Sequence, residues 1–339
     1  MTTQSSSFKP RGTAMRSLWG ATIGFFFGVM AISLFGPTKG ILSSAMNLTP
    51  FEGGLLVSIP SLTGSLLRIP FGAGVDGNGG RKGFIFLLAA AFVGLIALSI
   101  LFSTFDMNVA GSMEGWFPVV LILGCIAGCG IATFSVGVSQ TSYWFPKNHQ
   151  GFASGVYGGL GTCSAGILAF LLPIFLQNFG FNASYYILAG MMMLGLLIYV
   201  WMGANPPYFQ LLKAGKTKEQ AHDCALALNQ ELFPKGNAVE SLKISAMIPQ
   251  TWMLVFTYFT TFGGFMALTA WFPSFWKEHM GLDPMFAGGL TAIFSIMAAL
   301  LRVPGGQLSD KIGGVKVSMF ALVLLAVSGV LMNVKMGWG

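Results

Sequence analysis

Nine apolar runs, each long enough to cross a lipid bilayer, constrain this chain more than any other feature of its sequence. About 20 apolar residues in a helix span the roughly 30 Å hydrocarbon core of a membrane. Transmembrane barrels use segments of about ten residues with alternating polarity, whereas these runs are longer and do not alternate. The predicted fold class is therefore an all-α polytopic membrane protein. The runs lie near residues 18–40, 53–75, 83–103, 116–144, 152–178, 182–203, 250–274, 284–308 and 316–335.

One long polar stretch interrupts these runs, between the sixth and the seventh. It stands out because 54% of the chain is hydrophobic and only 9% is charged, more apolar surface than a soluble fold can bury. We read the stretch as a solvated connector between two halves. The predicted parts are a six-helix N-terminal half at 1–204, a connector at 205–248 and an incomplete C-terminal half of three helices at 249–339.

Positive charges are concentrated in alternate breaks between the runs. The net charge is +7, but the Lys and Arg residues do not cluster on one face, so nucleic acid is not an expected partner. The positive-inside rule places the N-terminus and the connector in the cytoplasm, because only Lys39, Lys277 and Lys335 fall on the other side. Thirteen of the eighteen share the predicted cytoplasmic side, namely Lys9, Arg11, Arg16, Arg81, Lys82, Lys147, Lys213, Lys216, Lys218, Lys235, Lys243, Lys311 and Lys316.

An internal repeat relates the two halves. RIPFGAGVDGNGGRK at 68–82 aligns without a gap to RVPGGQLSDKIGGVK at 302–316, and the same offset matches Leu48 and Pro50 to Leu282 and Pro284. An even number of spans separates the copies, so they have the same orientation in the membrane. Parallel repeats of this kind are a recurring architecture of secondary transporters.

The repeat places one arginine of each copy, Arg68 and Arg302, near the middle of the membrane. Each precedes by eight residues an aspartate that opens a loop, Asp76 or Asp310, and eight residues of helix rise about 12 Å. A charge at that depth costs at least about 2.5–3.5 kcal/mol. Snorkelling or pairing with a buried acid is the alternative, but all eleven Asp and Glu lie in loops or at span ends. We favour an anion from solution, held bidentately by the two guanidiniums.

The repeated loop, G-x-x-x-D-x-x-G-G-x-K, is a candidate gate between the halves. Its aspartate can accept hydrogen bonds from a neighbouring helix N-terminus, in a latch that breaks and reforms; a tight structural turn is the alternative. The fifth run carries Gly151, Gly155 and Gly159, a small-residue face on which another helix could slide. The candidate gating residues are Gly72, Asp76, Arg81, Lys82, Gly306, Asp310 and Lys316.

GAGVDGNGGRK resembles the signature loop of the major facilitator superfamily. Within it, four stretches are similar to the nitrate/nitrite porter family: LTGSLLRIPFG, WFPKNHQGFASGVYGGLG, TYFTTFGGF and GLDPMFAGGLTAIFSIMAALLRVPGGQLSD. The resemblance covers nearly the whole chain. It implies the major facilitator fold with parallel pseudo-two-fold repeats, of which about nine of twelve transmembrane helices are present, in a bacterial inner membrane. We therefore expect the sequence to be a fragment whose reading frame continues beyond Gly339 for about three more spans; a truncated gene product is the alternative.

The resemblance also implies a function and a substrate site. The function is nitrate/nitrite transport by alternating access, with Arg68 and Arg302 clasping the anion at the midplane. Thr162 stands where the family usually has Asn, and a hydroxyl offers one donor where an amide offers two, which bears on selectivity. Phe35 corresponds to a first-span aromatic. The remaining implied substrate-binding residues are Tyr258, Phe262, Phe134 and Gly158.

Coupling and rival functions stay open at this point. The predicted spans hold no acid at membrane depth, and His149, His222 and His279 lie in loops, which favours nitrate/nitrite exchange over proton-coupled uptake. A major facilitator transporter of another small anion, such as formate or a dicarboxylate, is one alternative, and a non-transporting anion sensor is another. We do not expect an enzyme, a cofactor or a bound metal, because no catalytic triad, metal cluster or phosphate loop is recognisable in the sequence. The expected oligomeric state is a monomer.

Overall fold

The computed structural model describes residues 8–234 and 238–336, and the regular secondary structure in those ranges is helical throughout. Lys235 of the connector lies outside the described residues, and so does the side chain of Lys335. The α-helices are α1 (Ala14–Ser33), α2 (Phe35–Met46), α3 (Pro50–Asn78), α4 (Arg81–Ser103), α5 (Phe117–Gly128), α6 (Thr133–Trp144), α7 (Gln150–Met202), α8 (Pro207–Lys213), α9 (Lys218–Leu226), α10 (Ala238–Met247), α11 (Pro249–Tyr258), α12 (Gly264–Met280), α13 (Pro284–Leu300), α14 (Arg302–Ile312) and α15 (Gly314–Met336).

Eight helical segments of the described chain are long and apolar enough to cross a membrane. One of them contains α7, whose 53 residues would extend about 80 Å as a straight helix, far more than the bilayer core. Gly180 divides α7, because its backbone angles of φ 78° and ψ 174° are not helical. The eight segments therefore supply nine crossings, in agreement with the nine predicted runs, and the all-α polytopic fold class is confirmed.

The ends of α3, the helix that carries the first repeat, follow from its local sequence. Thr49 caps its start: its hydroxyl accepts from the backbone N of Glu52, whose carboxylate in turn accepts from the backbone N of Thr49 at 2.8 Å. Gly79 and Gly80 end it, with φ of 80° and 87°, values that glycine adopts at no steric cost. The tight connection directs α4 back across the membrane.

The connector is more ordered than its polarity indicates. Helices α8, α9 and α10 lie within it, and α8 and α9 bury a small apolar cluster of their own. Thr217 caps α9 with a second capping box, made with Gln220. The cluster consists of Tyr208, Phe209, Leu211, Ala221 and Ala225.

Helix α7 packs on both halves of the chain. It lies against α1 and α4 of the N-terminal half and against α13 and α14 of the C-terminal half. At the second contact there is no room for a side chain: a methyl group on Gly155 would lie 2.5 Å from the carbonyl oxygen of Arg302, and one on Gly159 would lie 2.6 Å from that of Ala299. The glycine face of the fifth span is thus the surface that receives the helix bearing Arg302.

Candidate functional site

Three helical segments depart from α-helical geometry at the level of the two repeat arginines. A 3₁₀ turn at Cys129–Ala132 precedes Phe134, and a π-helical turn at Phe259–Gly263 contains Phe262. Leu301 separates α13 from α14 immediately before Arg302. Such interruptions are frequent at functional sites, because they redirect the side chains that follow.

Arg68 projects from α3 against two aromatic rings. Its guanidinium carbon lies 5.0 Å from the ring centre of Phe134 and 5.3 Å from that of Phe262. Its Nε and Nη2 atoms are buried and have no hydrogen-bond partner within residues 8–234 and 238–336. These two N–H groups share one edge of the guanidinium, the edge that arginine presents to a planar oxyanion. An unmet buried donor costs about 1–3 kcal/mol, so this edge favours an acceptor.

Arg302 is held more firmly than its counterpart. Its Nη1 donates to the carbonyl oxygen of Gly158 at 3.1 Å and lies 3.4 Å from the hydroxyl of Thr162. That hydroxyl also donates to the Gly158 carbonyl, at 2.8 Å. The guanidinium carbon lies 5.3 Å from the ring centre of Phe262 and 5.2 Å from that of Phe265. Helix α7 therefore positions Arg302 through main-chain and hydroxyl acceptors, leaving its charge without a carboxylate partner among the described residues.

Phe262 joins the two arginines, since both guanidiniums lie against its ring. Its ring stacks on Phe134 at 5.5 Å and on Tyr258 at 5.0 Å. Phe25 and Tyr157 back Phe134 at 5.3 and 6.2 Å. Cation–π contacts contribute roughly 0.5–2 kcal/mol each, which offsets part of the cost of placing two like charges close together.

A cavity of about 740 Å³ reaches Arg68. Tyr258 and Phe262 form part of its wall. Three serines of α3 line it as well, Ser58, Ser61 and Ser65. Sequence reasoning missed these hydroxyls, although the spacing S-x-x-S-x-x-x-S-x-x-R in SIPSLTGSLLR is the signal that places them on the same helix face as Arg68.

The cavity continues into a smaller recess of about 410 Å³, with which it shares Gly36, Pro37, Ala169 and Trp271. The recess is lined by Lys39 and Lys277, two of the three cations predicted on the side opposite the connector. The Lys39 ammonium lies 5.1 Å from the centre of the Trp271 ring. Positively charged side chains therefore line the route to Arg68, which raises the local concentration of small anions.

The two copies of the repeated loop make different contacts. Asp310 accepts from the backbone N of Gly151 at 2.8 Å and of Phe152 at 2.9 Å, and so caps the first turn of α7 from across the interface. Asp76 instead accepts from the Tyr143 hydroxyl at 2.6 Å. Arg81 donates to the carbonyl oxygens of Val200 and Gly203, at 2.8 and 2.7 Å.

The other candidate gating residues fall into two groups. Gly306 lies against Gly151, where a methyl group on either glycine would meet the backbone oxygen of the other. Gly72 lies near Ser135. Lys82 and Lys316 are exposed at the starts of α4 and α15. Among the contacts of the described residues, the Gly306–Asp310 copy bridges the two halves, and the Gly72–Lys82 copy contacts the N-terminal half.

The structure brings most of the predicted substrate site together. Phe35 lies elsewhere: it is fully buried, near Gly124, and does not line the cavity. Phe265, which sequence reasoning did not select, lies against Arg302. The predicted residues that do cluster are Arg68, Arg302, Tyr258, Phe262, Phe134, Gly158 and Thr162.

A comparison with known families matches residues 21–335 to the Major Facilitator Superfamily. The chain is 29% identical over 310 residues to a nitrite extrusion protein of Bacillus subtilis, covering 91% of this chain and 68% of that protein. It is 28% identical over 295 residues to the probable nitrate/nitrite transporter NarK2 of Mycobacterium tuberculosis, covering 87% and 65%. It is 29% identical over 334 residues to the probable nitrate/nitrite antiporter NarK1 of Thermus thermophilus, covering 96% of this chain and 68% of that protein. The chain thus spans about two thirds of the length of these relatives.

Among solved structures, the chain is similar to the xylose transporter XylE of E. coli in a partially occluded inward-open conformation. The TM-score is 0.58 at 13% identity, and the match covers 91% of this chain and 89% of that one. At that identity the likeness describes the fold alone. The expectation that the chain is not an enzyme agrees with these comparisons, since each of the proteins named is an extrusion protein, transporter or antiporter.

Proposed function

The chain belongs to the Major Facilitator Superfamily, and on that premise we propose that it moves nitrate and nitrite across the membrane, with the anion clasped between Arg68 and Arg302. The observation that carries the proposal is the buried edge of Arg68, whose Nε and Nη2 donors have no acceptor among the described residues. The names of the relatives point to the same substrates.

The chemistry of the site suits a small planar anion. Two oxygens of nitrate can accept from the Arg68 edge, in charge-assisted bonds worth about 1.5–3 kcal/mol each. The flat anion can then lie beside Tyr258 and Phe262, which wall the cavity next to the guanidinium. Its charge relieves the repulsion between Arg68 and Arg302, so the anion favours a state that holds the two halves together.

Alternating access is the proposed mechanism. The cavity extends from Arg68 to the recess at Lys39 and Lys277, while beyond the arginines α7 and α14 touch at Gly151, Gly306 and Asp310. Rocking of one half against the other about the bound anion opens that contact and closes the recess. The return step carries the counter-anion, so the cycle exchanges nitrate for nitrite, as the name of the Thermus relative suggests.

Uptake into proteoliposomes tests this function. The protein, purified from its complete reading frame, is expected to take up labelled nitrate when nitrite is inside the vesicles, with much less uptake when they are empty. A dicarboxylate, added as a competitor, is expected to compete less well than nitrite, because the Arg68 edge and the stacked rings select a compact planar anion. Formate is compact and planar as well, so stronger competition by formate than by nitrite would favour a formate transporter. Strong uptake driven by an imposed pH gradient alone would show that the protein is a proton symporter and not an exchanger. If nitrite does not displace nitrate, the substrate assignment is wrong.

The Asp310 contact yields a separate prediction. Asp310→Asn removes the charge and one of the two oxygens that hold the backbone N–H groups of Gly151 and Phe152. Loss of one charge-assisted bond destabilises the state in which α7 and α14 touch. That state is then less populated, and exchange is expected to slow about ten-fold. Nitrate affinity is expected to change less than about three-fold, since Asp310 lies two helical turns, about 12 Å, from Arg302. Exchange rates and nitrate binding are measured on the same preparation.

Asp283→Asn is the matched control for Asp310→Asn. Asp283 also accepts from a helix N-terminus, at the backbone N of Met285, but within its own helix α13. An Asp310 variant that exchanges as fast as the Asp283 variant would show that the interhelix contact does not limit the cycle.

A further inference from the structure

A second positively charged cavity, of about 730 Å³, lies on the face that carries the N-terminal segment and the connector. It shares no lining residue with the cavity at Arg68. Among the described residues that line it there is no Asp or Glu. We call it the basic pocket and define it by its five cationic side chains, Lys9, Arg11, Arg81, Lys82 and Lys213.

Specific hydrogen bonds build the basic pocket from three separate parts of the chain. Gln210 of α8 clamps the N-terminal segment: its Oε1 accepts from the backbone N of Arg11 at 2.8 Å, and its Nε2 donates to the Arg11 carbonyl at 3.1 Å. Asn205 accepts from the backbone N of Arg81 at 3.0 Å and donates to the carbonyl of Asn78 at 2.9 Å. The cations are therefore assembled by fixed backbone before any ligand binds.

One edge of the basic pocket reaches the membrane surface. Phe86, Val93 and Ile100 follow Lys82 on α4 at helical spacing, and their side chains are 60%, 55% and 54% exposed. An exposed apolar stripe on a membrane-spanning helix faces lipid tails. Lys82 thus stands at the end of a lipid-facing stripe, where headgroups lie.

We propose that the basic pocket binds the phosphate of an anionic phospholipid from the adjacent leaflet. Lys9, Arg11 and Lys213 are exposed and repel one another, and a phosphodiester supplies the missing counter-charge. Basic pockets at helix ends are recognised sites for anionic headgroups. The lipid stripe below Lys82 favours a ligand with acyl chains over a free phosphate compound. Because it shares no residue with the Arg68 cavity, the site does not depend on the proposed transport function.

Binding of short-chain lipids to the full chain in neutral detergent tests the proposal. Dioctanoyl phosphatidylglycerol is expected to bind, and the double variant Arg11→Ala/Lys213→Ala is expected to weaken that binding about thirty-fold, which is about five-fold for each cation removed. The control is Lys218→Ala/Lys243→Ala, which removes two exposed connector cations outside the basic pocket and is expected to change binding less than about three-fold.

Two further ligands identify the source of the phosphate. Dioctanoyl phosphatidylcholine has the same tails with a zwitterionic headgroup and is expected to bind equally weakly to all three proteins. Glycerol 3-phosphate has no tails and is expected to compete only at far higher concentration. If phosphatidylglycerol binds the Arg11→Ala/Lys213→Ala variant as tightly as it binds the parent protein, the basic pocket is not the binding site. If glycerol 3-phosphate binds as tightly as the lipid does, the ligand is not a lipid.

Discussion

Arg68→Lys is expected to weaken nitrate binding about 10- to 100-fold and to reduce exchange in proportion. Lysine keeps the positive charge but replaces the two parallel N–H donors, Nε and Nη2, by an ammonium whose three donors diverge and cannot form two parallel, coplanar bonds to a planar anion. The loss of one charge-assisted bond, about 1.5–3 kcal/mol, sets the size of the effect. Nitrate affinity is measured by calorimetry on the detergent-purified protein, and thermal unfolding reports whether the fold is retained.

Arg16→Lys is the matched control. Arg16 also lies over an aromatic ring, 4.8 Å from the centre of Trp201, and donates to the Trp201 carbonyl, but it is remote from the cavity at Arg68. The same substitution there tests the general effect of exchanging a guanidinium for an ammonium at a ring. If the Arg68 variant binds nitrate as tightly as the Arg16 variant, the orphaned edge of Arg68 is not the anion site.

The contrast between Arg68 and Arg302 shows how far the repeat could predict this site. Counting eight residues back from Asp76 and Asp310 predicted that both arginines lie at one level, because helix rise is a fixed quantity, and both guanidiniums do lie against the Phe262 ring. The count treated the two arginines as equivalent, whereas Arg302 donates to the Gly158 carbonyl and the Nε and Nη2 donors of Arg68 have no acceptor in the part of the chain that the structure describes. That difference depends on how closely α7 approaches α14, which no local pattern encodes.

The two loop aspartates also differ in a way that the repeat does not predict. One motif occurs twice, yet Asp310 caps the start of α7 and Asp76 accepts from a tyrosine, because the helix ends beside them differ. The membrane class and the nine crossings could be read from the apolar runs, since the bilayer leaves helices as the only candidate for segments of that length. The boundaries at 204 and 248, the side on which the N-terminus lies, and the roles of the site residues stay predictions.

The glycine face of α7 gives the second large expected effect. Gly155→Ala places a methyl group 2.5 Å from the carbonyl oxygen of Arg302, and the obstacle is backbone, so no side-chain rotation relieves it. Helix α14 must move away by about an ångström, and Arg302 moves with it from Phe262. A displacement of that size at a binding group costs on the order of 100-fold in rate. We expect exchange to fall between 10- and 100-fold, with weaker nitrate binding, measured in the same liposomes as the parent protein.

Gly190→Ala separates this contact from the general effect of removing a glycine. Both positions lie in α7, and both substitutions gain about 1 kcal/mol of helix propensity, but a methyl group at Gly190 meets nothing within 4 Å. The Gly190 variant is therefore expected to exchange at the parent rate and to unfold at the same or a higher temperature. The difference between the two variants isolates the α7–α14 approach. Equal exchange by both would mean that α14 can shift without disturbing Arg302, and that the close contact of the halves at Gly155 is packing alone.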